Sequence, residues 1–139
     1  MAEIVLISDA TVVLDELLAV VDNGEHSITS LRNADKLRVT VDELEPDLVI
    51  TDCQVQNMGG IAICHDLKLE ESGGRLPHVP VLILLDRRAD VFLANRSGAE
   101  GYLVKPLDPI RLRRAVESLL SGETYHDDSY KPLTLHAGS

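Results

Sequence analysis

Near the middle of the chain stands the stretch Pro46-Asp47-Leu48-Val49-Ile50-Thr51-Asp52. Its apolar run shows no polar alternation, which is typical of a strand that is buried on both faces. Pro46 ends the segment before it, because proline cannot continue a helix. Asp52 stands where the strand ends, and open α/β sheets carry their functional groups at that edge. The stretch therefore predicts a parallel sheet covered by helices on both sides, with a carboxylate at its functional edge.

Similar apolar runs recur along the chain and alternate with amphipathic segments. The amphipathic segments predict helices over residues 11–22, 34–45, 61–71 and 89–97, and a fifth that begins at Pro109 with Asp108 as its N-cap. This alternation predicts a (βα)₅ unit. The other strands are predicted at Ile4-Val5-Leu6-Ile7, Ser27-Ile28-Thr29, Val81-Leu82-Ile83-Leu84-Leu85 and Tyr102-Leu103-Val104.

Length and composition limit the class of protein. A chain of 139 residues fits one domain, which we expect over residues 1–121, with a flexible C-terminal tail over 122–139. The net charge of -10 argues against direct binding to nucleic acid. The sequence contains neither a signal-peptide pattern nor an apolar run long enough for a membrane span. Cys53 and Cys64 stand in apolar runs and are interpreted as small buried side chains, so we expect reduced thiols and a cytoplasmic location.

Charged side chains follow several of the predicted strands. Asp9 comes shortly after the first strand, Asp52 ends the third, and Lys105 follows the fifth. The carboxyl ends of parallel strands meet at one edge, so these side chains are expected to converge. Two carboxylates suit a hard divalent cation, and a lysine ammonium suits a phosphoryl oxygen. Taken singly, Asp9 is equally compatible with an N-cap of the first helix, and Asp52 with a turn cap.

Three segments resemble the receiver domain of bacterial two-component response regulators. Residues 46–52 resemble the strand that leads to the family's phosphoacceptor, and Met58-Gly59-Gly60 matches the loop after it. Residues 98–107 resemble the family's fifth-strand motif almost position for position. The resemblance covers residues 3–120 and implies a flavodoxin-like, doubly wound sandwich with a five-stranded parallel sheet of order 2-1-3-4-5.

The resemblance also implies a chemistry. Asp52 would accept a phosphoryl group from a histidine kinase or phosphotransfer protein. Mg²⁺ would be held by Asp9, Asp52 and the backbone carbonyl of Gln54. Lys105 would contact the phosphoryl oxygens, and the Lys105–Pro106 bond would be cis. The protein would be a signalling module and not an enzyme, acting on a downstream protein that the sequence does not name.

The chain departs from the family pattern at the metal site and at the switch. Ser8 replaces the first of two acidic residues, so magnesium would bind more weakly, with the hydroxyl acting only through a water molecule. Leu85 occupies the position of the switch Ser or Thr and cannot bond a phosphoryl oxygen. Asp86 follows where a small residue is usual, and its charge would repel a phosphate. Tyr102 matches the aromatic residue that packs toward the switch hydroxyl in the family. Because Leu85 carries no hydroxyl, this coupling is not expected to work in the usual way.

These departures leave an alternative, a pseudo-receiver that works as a protein-interaction module without phosphorylation. An aspartyl phosphatase is disfavoured because Gln54 stands where a second carboxylate would act as acid and base. A flavodoxin is disfavoured because Asp9 occupies the loop that would cradle a phosphate. A homodimer through the last helix is compatible with the sequence. Arg111, Arg113 and Arg114 are interpreted as the solvated face of that helix.

Overall fold

The structure, a computed structural model, describes residues 2–55 and 58–128. Strands and helices alternate along the chain, and no helix within these residues is long and apolar enough to cross a membrane. The strands are β1 (Glu3–Ile7), β2 (Ser27–Leu31), β3 (Leu48–Asp52), β4 (Val81–Leu85), β5 (Gly101–Val104) and β6 (Tyr125–His126). The helices are α1 (Thr11–Val21), α2 (Leu37–Leu44), α3 (Gly60–Ser72), α4 (Val91–Arg96) and α5 (Pro109–Leu120), with a short 3-10 helix, Arg88–Asp90, before α4.

The strands form one parallel sheet in the order β2-β1-β3-β4-β5-β6. The first five reproduce the predicted order 2-1-3-4-5. Helices cover both faces: α1 and α5 supply residues to one apolar cluster, and α2, α3 and α4 to the other. Alternate residues of the central strands enter opposite clusters, as Ile50 and Val49 do in β3. Burial on both faces explains why these strands lack polar alternation.

Helix ends follow local hydrogen bonding. The predicted start of α5 is confirmed, because the Asp108 carboxylate accepts a hydrogen bond from the Ile110 N–H at 2.8 Å and Pro109 is the first helical residue. The second helix begins at Leu37, three residues later than predicted. There the Asn33 side-chain oxygen accepts from the Asp35 N–H at 2.9 Å, and such a local turn competes with the helix.

The sixth strand is an addition that the sequence pattern does not predict. After α5 the chain turns at Gly122, whose φ of 89° suits glycine, and β6 then pairs in parallel with β5. Residues 125–126, assigned above to a flexible tail, therefore extend the sheet. A two-residue polar strand has no periodicity to detect. Its pairing with β5 satisfies backbone hydrogen-bonding groups along the edge of that strand. Residues 129–139 lie outside the described part, so a flexible tail there remains a prediction.

Candidate functional site

Four polar side chains meet at the carboxyl edge of the sheet. Asp52 is the last residue of β3, Ser8 follows β1, Asp86 follows β4, and Lys105 follows β5. Hydrogen bonds connect all four. The convergence of Asp52 and Lys105 that the sequence predicts is therefore observed, and it includes Ser8 and Asp86 as direct neighbours.

Asp52 forms the centre of this group. Its side chain is 3% exposed, yet both of its oxygens have partners. Oδ1 accepts from Lys105 Nζ at 2.6 Å, and Oδ2 accepts from the Ser8 hydroxyl at 3.0 Å. A buried carboxylate requires such partners, because its desolvation is otherwise costly. Asp52 is thus a buried carboxylate whose two oxygens are held in a fixed orientation by Lys105 and Ser8.

Ser8 is fully buried and connects Asp52 to the start of α1. Its hydroxyl donates its single proton to Asp52 and accepts from the Ala10 N–H at 3.1 Å. Ser8 therefore contributes a neutral hydrogen bond at a position where the family pattern has an acidic side chain. The direct contact with Asp52 is a closer involvement than the water-mediated role expected from the sequence.

Lys105 is shared between two carboxylates. Its Nζ lies 2.6 Å from Asp52 Oδ1 and 2.8 Å from Asp86 Oδ1. Burial opposes the ammonium charge, but hydrogen bonds and charges of both carboxylates outweigh that cost and raise the pKa of Lys105 above its usual range. The backbone N–H of Lys105 donates to Leu85 O at 2.9 Å, and the Lys105–Pro106 bond is cis. Asp86 thereby competes with Asp52 for the ammonium of the lysine that the resemblance assigns to a phosphoryl group.

Asp9 and Gln54 flank the centre and are exposed. The residue at the N-cap of α1 is Ala10, so the alternative interpretation of Asp9 as a helix cap is wrong. The backbone carbonyl of Asp9 accepts from Arg32 at 3.2 Å. No group of three His, Cys, Asp or Glu side chains gathers as a metal site in the described part of the chain. The two carboxylates of Asp9 and Asp52, with carbonyl and water oxygens, have the donor chemistry of a magnesium site with one acid fewer.

Of the three positions that the resemblance assigns to the switch, Leu85 and Tyr102 lie in apolar surroundings, whereas Asp86 is exposed and bonds to Lys105. Leu85 is 0% exposed, and Leu85 and Tyr102 belong to the same apolar cluster. Tyr102 is 4% exposed, and its ring stacks on His126 with centroids 5.3 Å apart and planes 12° from parallel. The tyrosine is therefore covered by β6 on one side and packed against the core on the other.

Gly60 allows the loop after Asp52 to close tightly. Its N–H donates to Cys53 O at 2.9 Å, and a Cβ at this position would collide with the backbone carbonyl of Asp52. Glycine is required here because helix α3 begins in contact with the backbone of the site. The last glycine of the Met58-Gly59-Gly60 motif thus has a steric explanation.

Sequence reasoning missed two residues close to the site. Arg111 was assigned to the solvated face of α5, but it contacts the carboxylate of Asp127 at 2.6 Å. Asp127 is 2% exposed and lies just beyond β6. Arg113 and Arg114 are exposed, as expected. Since Asp127 follows a segment without periodicity, no local signal indicated the pair.

An open sheet edge with a buried aspartate, a lysine in contact with it and a glycine-closed loop defines a receiver-type signalling site. The family model for the response regulator receiver domain matches residues 4–117. The chain belongs to this family, whose sequence relatives are response regulators.

Relatives and solved structures agree with this assignment. The chain is 32% identical over 123 residues to the DNA-binding response regulator MtrA of Mycolicibacterium paratuberculosis, with 86% of this chain and 52% of MtrA covered. It thus spans about half the length of such relatives. A LuxR-family two-component response regulator from Aurantimonas sp. SI85-9A1 superposes with a TM-score of 0.77 at 23% identity, covering 90% of this chain and 89% of that one. The signal receiver domain of a histidine kinase from Syntrophus aciditrophicus gives 0.76 at 25% identity, covering 96% and 98%.

Proposed function

We propose that this receiver domain accepts a phosphoryl group on Asp52 from a histidine kinase or a phosphotransfer protein. The observation that carries the proposal is the ion pair of 2.6 Å between Lys105 Nζ and a carboxylate that is 3% exposed. The lysine places a positive charge against the carboxylate and fixes its orientation, and an oxygen nucleophile needs such an orientation.

In the transfer, an Asp52 oxygen attacks phosphorus as the bond from phosphorus to the donor nitrogen breaks. The electron pair of that bond stays with the nitrogen, which takes a proton, and Asp52 becomes an acyl phosphate. Lys105 changes partner from the carboxylate to a phosphoryl oxygen. An open cleft of about 430 Å³ lies beside Lys105 and is lined by residues of β5 and of the segment after β4.

Magnesium would be held by Asp9, Asp52 and the backbone carbonyl of Gln54, with Ser8 contributing at most through water. When bound, the ion would neutralise negative charge that develops on the phosphoryl oxygens. Ser8 supplies no charge, so we propose a weak ion site. Gln54 also lacks the acid and base chemistry of a phosphatase, which supports a signalling role and not an enzymatic one.

The proposed partners follow from the same chemistry. MtrA is described as DNA-binding, but for this chain a net charge of -10 supports a protein partner and no direct contact with nucleic acid. The downstream protein, and a homodimer through α5, remain proposals. Two free cysteines are compatible with a reducing cytoplasm, where we place the protein.

Intact-mass analysis after incubation with Mg²⁺ and either acetyl phosphate or phosphoramidate tests the proposal. The expected result is an adduct of one phosphoryl group on the unaltered chain and none on Asp52→Asn. Asp47→Asn is a matched control, because Asp47 is an exposed carboxylate at the opposite end of β3. A folded protein that forms no adduct with either donor would overturn the proposal and leave the phosphorylation-independent interaction module.

A further inference from the structure

A buried carboxylate beyond the last helix contacts the strand that carries Lys105. The Asp127 side chain is 1% exposed. Its Oδ2 accepts from the Val104 N–H at 2.9 Å and from the Arg111 guanidinium at 2.6 Å. Burial of an ionised carboxylate is costly without a cation, so Arg111 and Asp127 depend on one another. The pair therefore joins α5 to the end of β5.

Arg111 also contacts the backbone on the other side of Lys105. Its second terminal nitrogen donates to the backbone carbonyl of Pro106 at 2.8 Å. Val104 precedes Lys105 and Pro106 follows it, so the pair binds the backbone on both sides of this one residue. The N–H of Lys105 is itself bound by Leu85 O at 2.9 Å. Three consecutive residues are thus fixed at three points, two of which belong to the Arg111–Asp127 pair.

Strand β6 holds Asp127 in place. Tyr125 and His126 pair with Gly101 and Tyr102 of β5, and the His126 ring stacks on Tyr102. The Tyr125 N–H donates to Glu100 O at 3.0 Å. The pairing delivers Asp127 to the end of β5, one residue before Lys105. Without this strand, the carboxylate has no fixed position beside Val104.

We propose that Arg111 and Asp127 are positioning residues for phosphorylation, which fix the end of β5 so that the Lys105 ammonium meets the Asp52 carboxylate. This inference rests on the proposed function of Asp52. Neither residue touches the reacting atoms; both act through the backbone of Lys105. A lysine side chain is long and flexible, so its ammonium finds a reproducible position only where the backbone below it is fixed. A misplacement of about 1 Å is enough to slow a reaction by up to about a hundredfold.

The test uses Arg111→Gln and Asp127→Asn, with Arg114→Gln as a control that removes an exposed arginine from the same helix. We expect phosphoryl adducts to form about tenfold more slowly in the first two variants and at the unaltered rate in the control. Arg111→Lys keeps the charge but not the two-pronged contact, so it should restore part of the rate. Circular dichroism identifies the variants that remain folded.

A second measurement does not depend on phosphorylation. NMR titration of the Lys105 side chain follows the pKa of that ammonium, which its two carboxylate partners raise in the intact site. In the Arg111 and Asp127 variants it should move toward its ordinary value, and circular dichroism at each pH of the titration must show that the fold is retained. If the unaltered protein forms no adduct, the proposed function fails and the titration alone decides whether the pair positions Lys105.

The inference is overturned if folded variants keep the Lys105 titration of the unaltered protein and form adducts within about twofold of its rate. If Asp127→Asn does not fold, the two Arg111 variants decide by the same criteria. The Arg111 side chain is 19% exposed and the Asp127 side chain 1%, so the replacement of Arg111 is the milder change.

Discussion

The substitution Asp86→Asn removes the second carboxylate that shares Lys105 with Asp52. The Asp86 and Asp52 oxygens lie no more than about 5.4 Å apart, because Lys105 Nζ is 2.8 Å from the first and 2.6 Å from the second. Phosphorylation replaces one negative charge on Asp52 with about two, so the site gains about one unit of charge beside Asp86. Two unit charges about 5 Å apart repel by about 1 kcal/mol in water and about 3 kcal/mol at a protein surface.

The lower figure applies here, since the Asp86 side chain is 35% exposed and salt screens it further. About 1 kcal/mol corresponds to about a fivefold change. Asparagine keeps an oxygen that can accept from Lys105 but carries no charge. We therefore expect Asp86→Asn to form the phosphoryl adduct about fivefold faster with the same donor.

Intact-mass time courses with phosphoramidate and Mg²⁺ measure this rate. Glu43→Gln is the matched control, because it removes the same charge from an exposed position on α2. Raising the salt concentration should narrow the difference between Asp86→Asn and the unaltered protein. An Asp86→Asn protein that reacts more slowly would refute the reasoning, since it would make Asp86 a residue that orients Lys105 instead of one that competes for it. Equal acceleration by Glu43→Gln would show that the faster adduct formation comes from the lower net charge of the protein and not from the position of Asp86.

Three further predictions concern stability and reactivity. Leu85→Thr should lower the free energy of unfolding by about 2–3 kcal/mol in a urea titration, because it buries a hydroxyl in an apolar cluster; an unchanged midpoint would contradict this. Because the pKa of Lys105 is raised in the folded protein, its pairing stabilises the fold at neutral pH, and this stabilisation is lost as the pH rises through the folded-state pKa. The unaltered protein should therefore lose more free energy of unfolding than Lys105→Met between neutral pH and about pH 11. Burial raises the pKa of the Cys64 and Cys53 thiols, so iodoacetamide should label the native protein slowly at neutral pH, with fully buried Cys64 last, whereas in urea the two should react alike.

The centre of the sheet was predictable because its central strands are buried on both faces. Runs such as Val81–Leu85 are apolar at every position, and 0% exposure of all five residues is the physical counterpart of that pattern. The start of α5 was predictable for a local reason, since Asp108 and Pro109 satisfy a helix end by themselves. Such features depend on neighbours in sequence, which a single sequence displays.

Contacts between segments distant in sequence were not predictable in the same way. β6 has two residues and a polar composition, so it carries no periodic signal, and only its position beside β5 makes it a strand. Arg111 shares its helix with the exposed Arg113 and Arg114, and its partner Asp127 lies beyond β6. The division of Lys105 between two carboxylates likewise depends on the placement of three strand ends, and no spacing in the sequence encodes it.

The site differs from the family pattern chiefly in where its negative charge lies. The acid that is usual at the position of Ser8 is absent, while Asp86 places a carboxylate where a small residue is usual. The number of carboxylates is thereby preserved, but the second one lies on the lysine side of Asp52 and not on the side of the proposed magnesium site. Under the proposed function, a magnesium ion would be attracted less, and Lys105 would be bound more firmly before a phosphoryl group arrived. Since Leu85 also supplies no hydroxyl, Lys105 is the residue through which a phosphoryl group on Asp52 would act on β5, and the Arg111–Asp127 pair binds the backbone on both sides of that lysine.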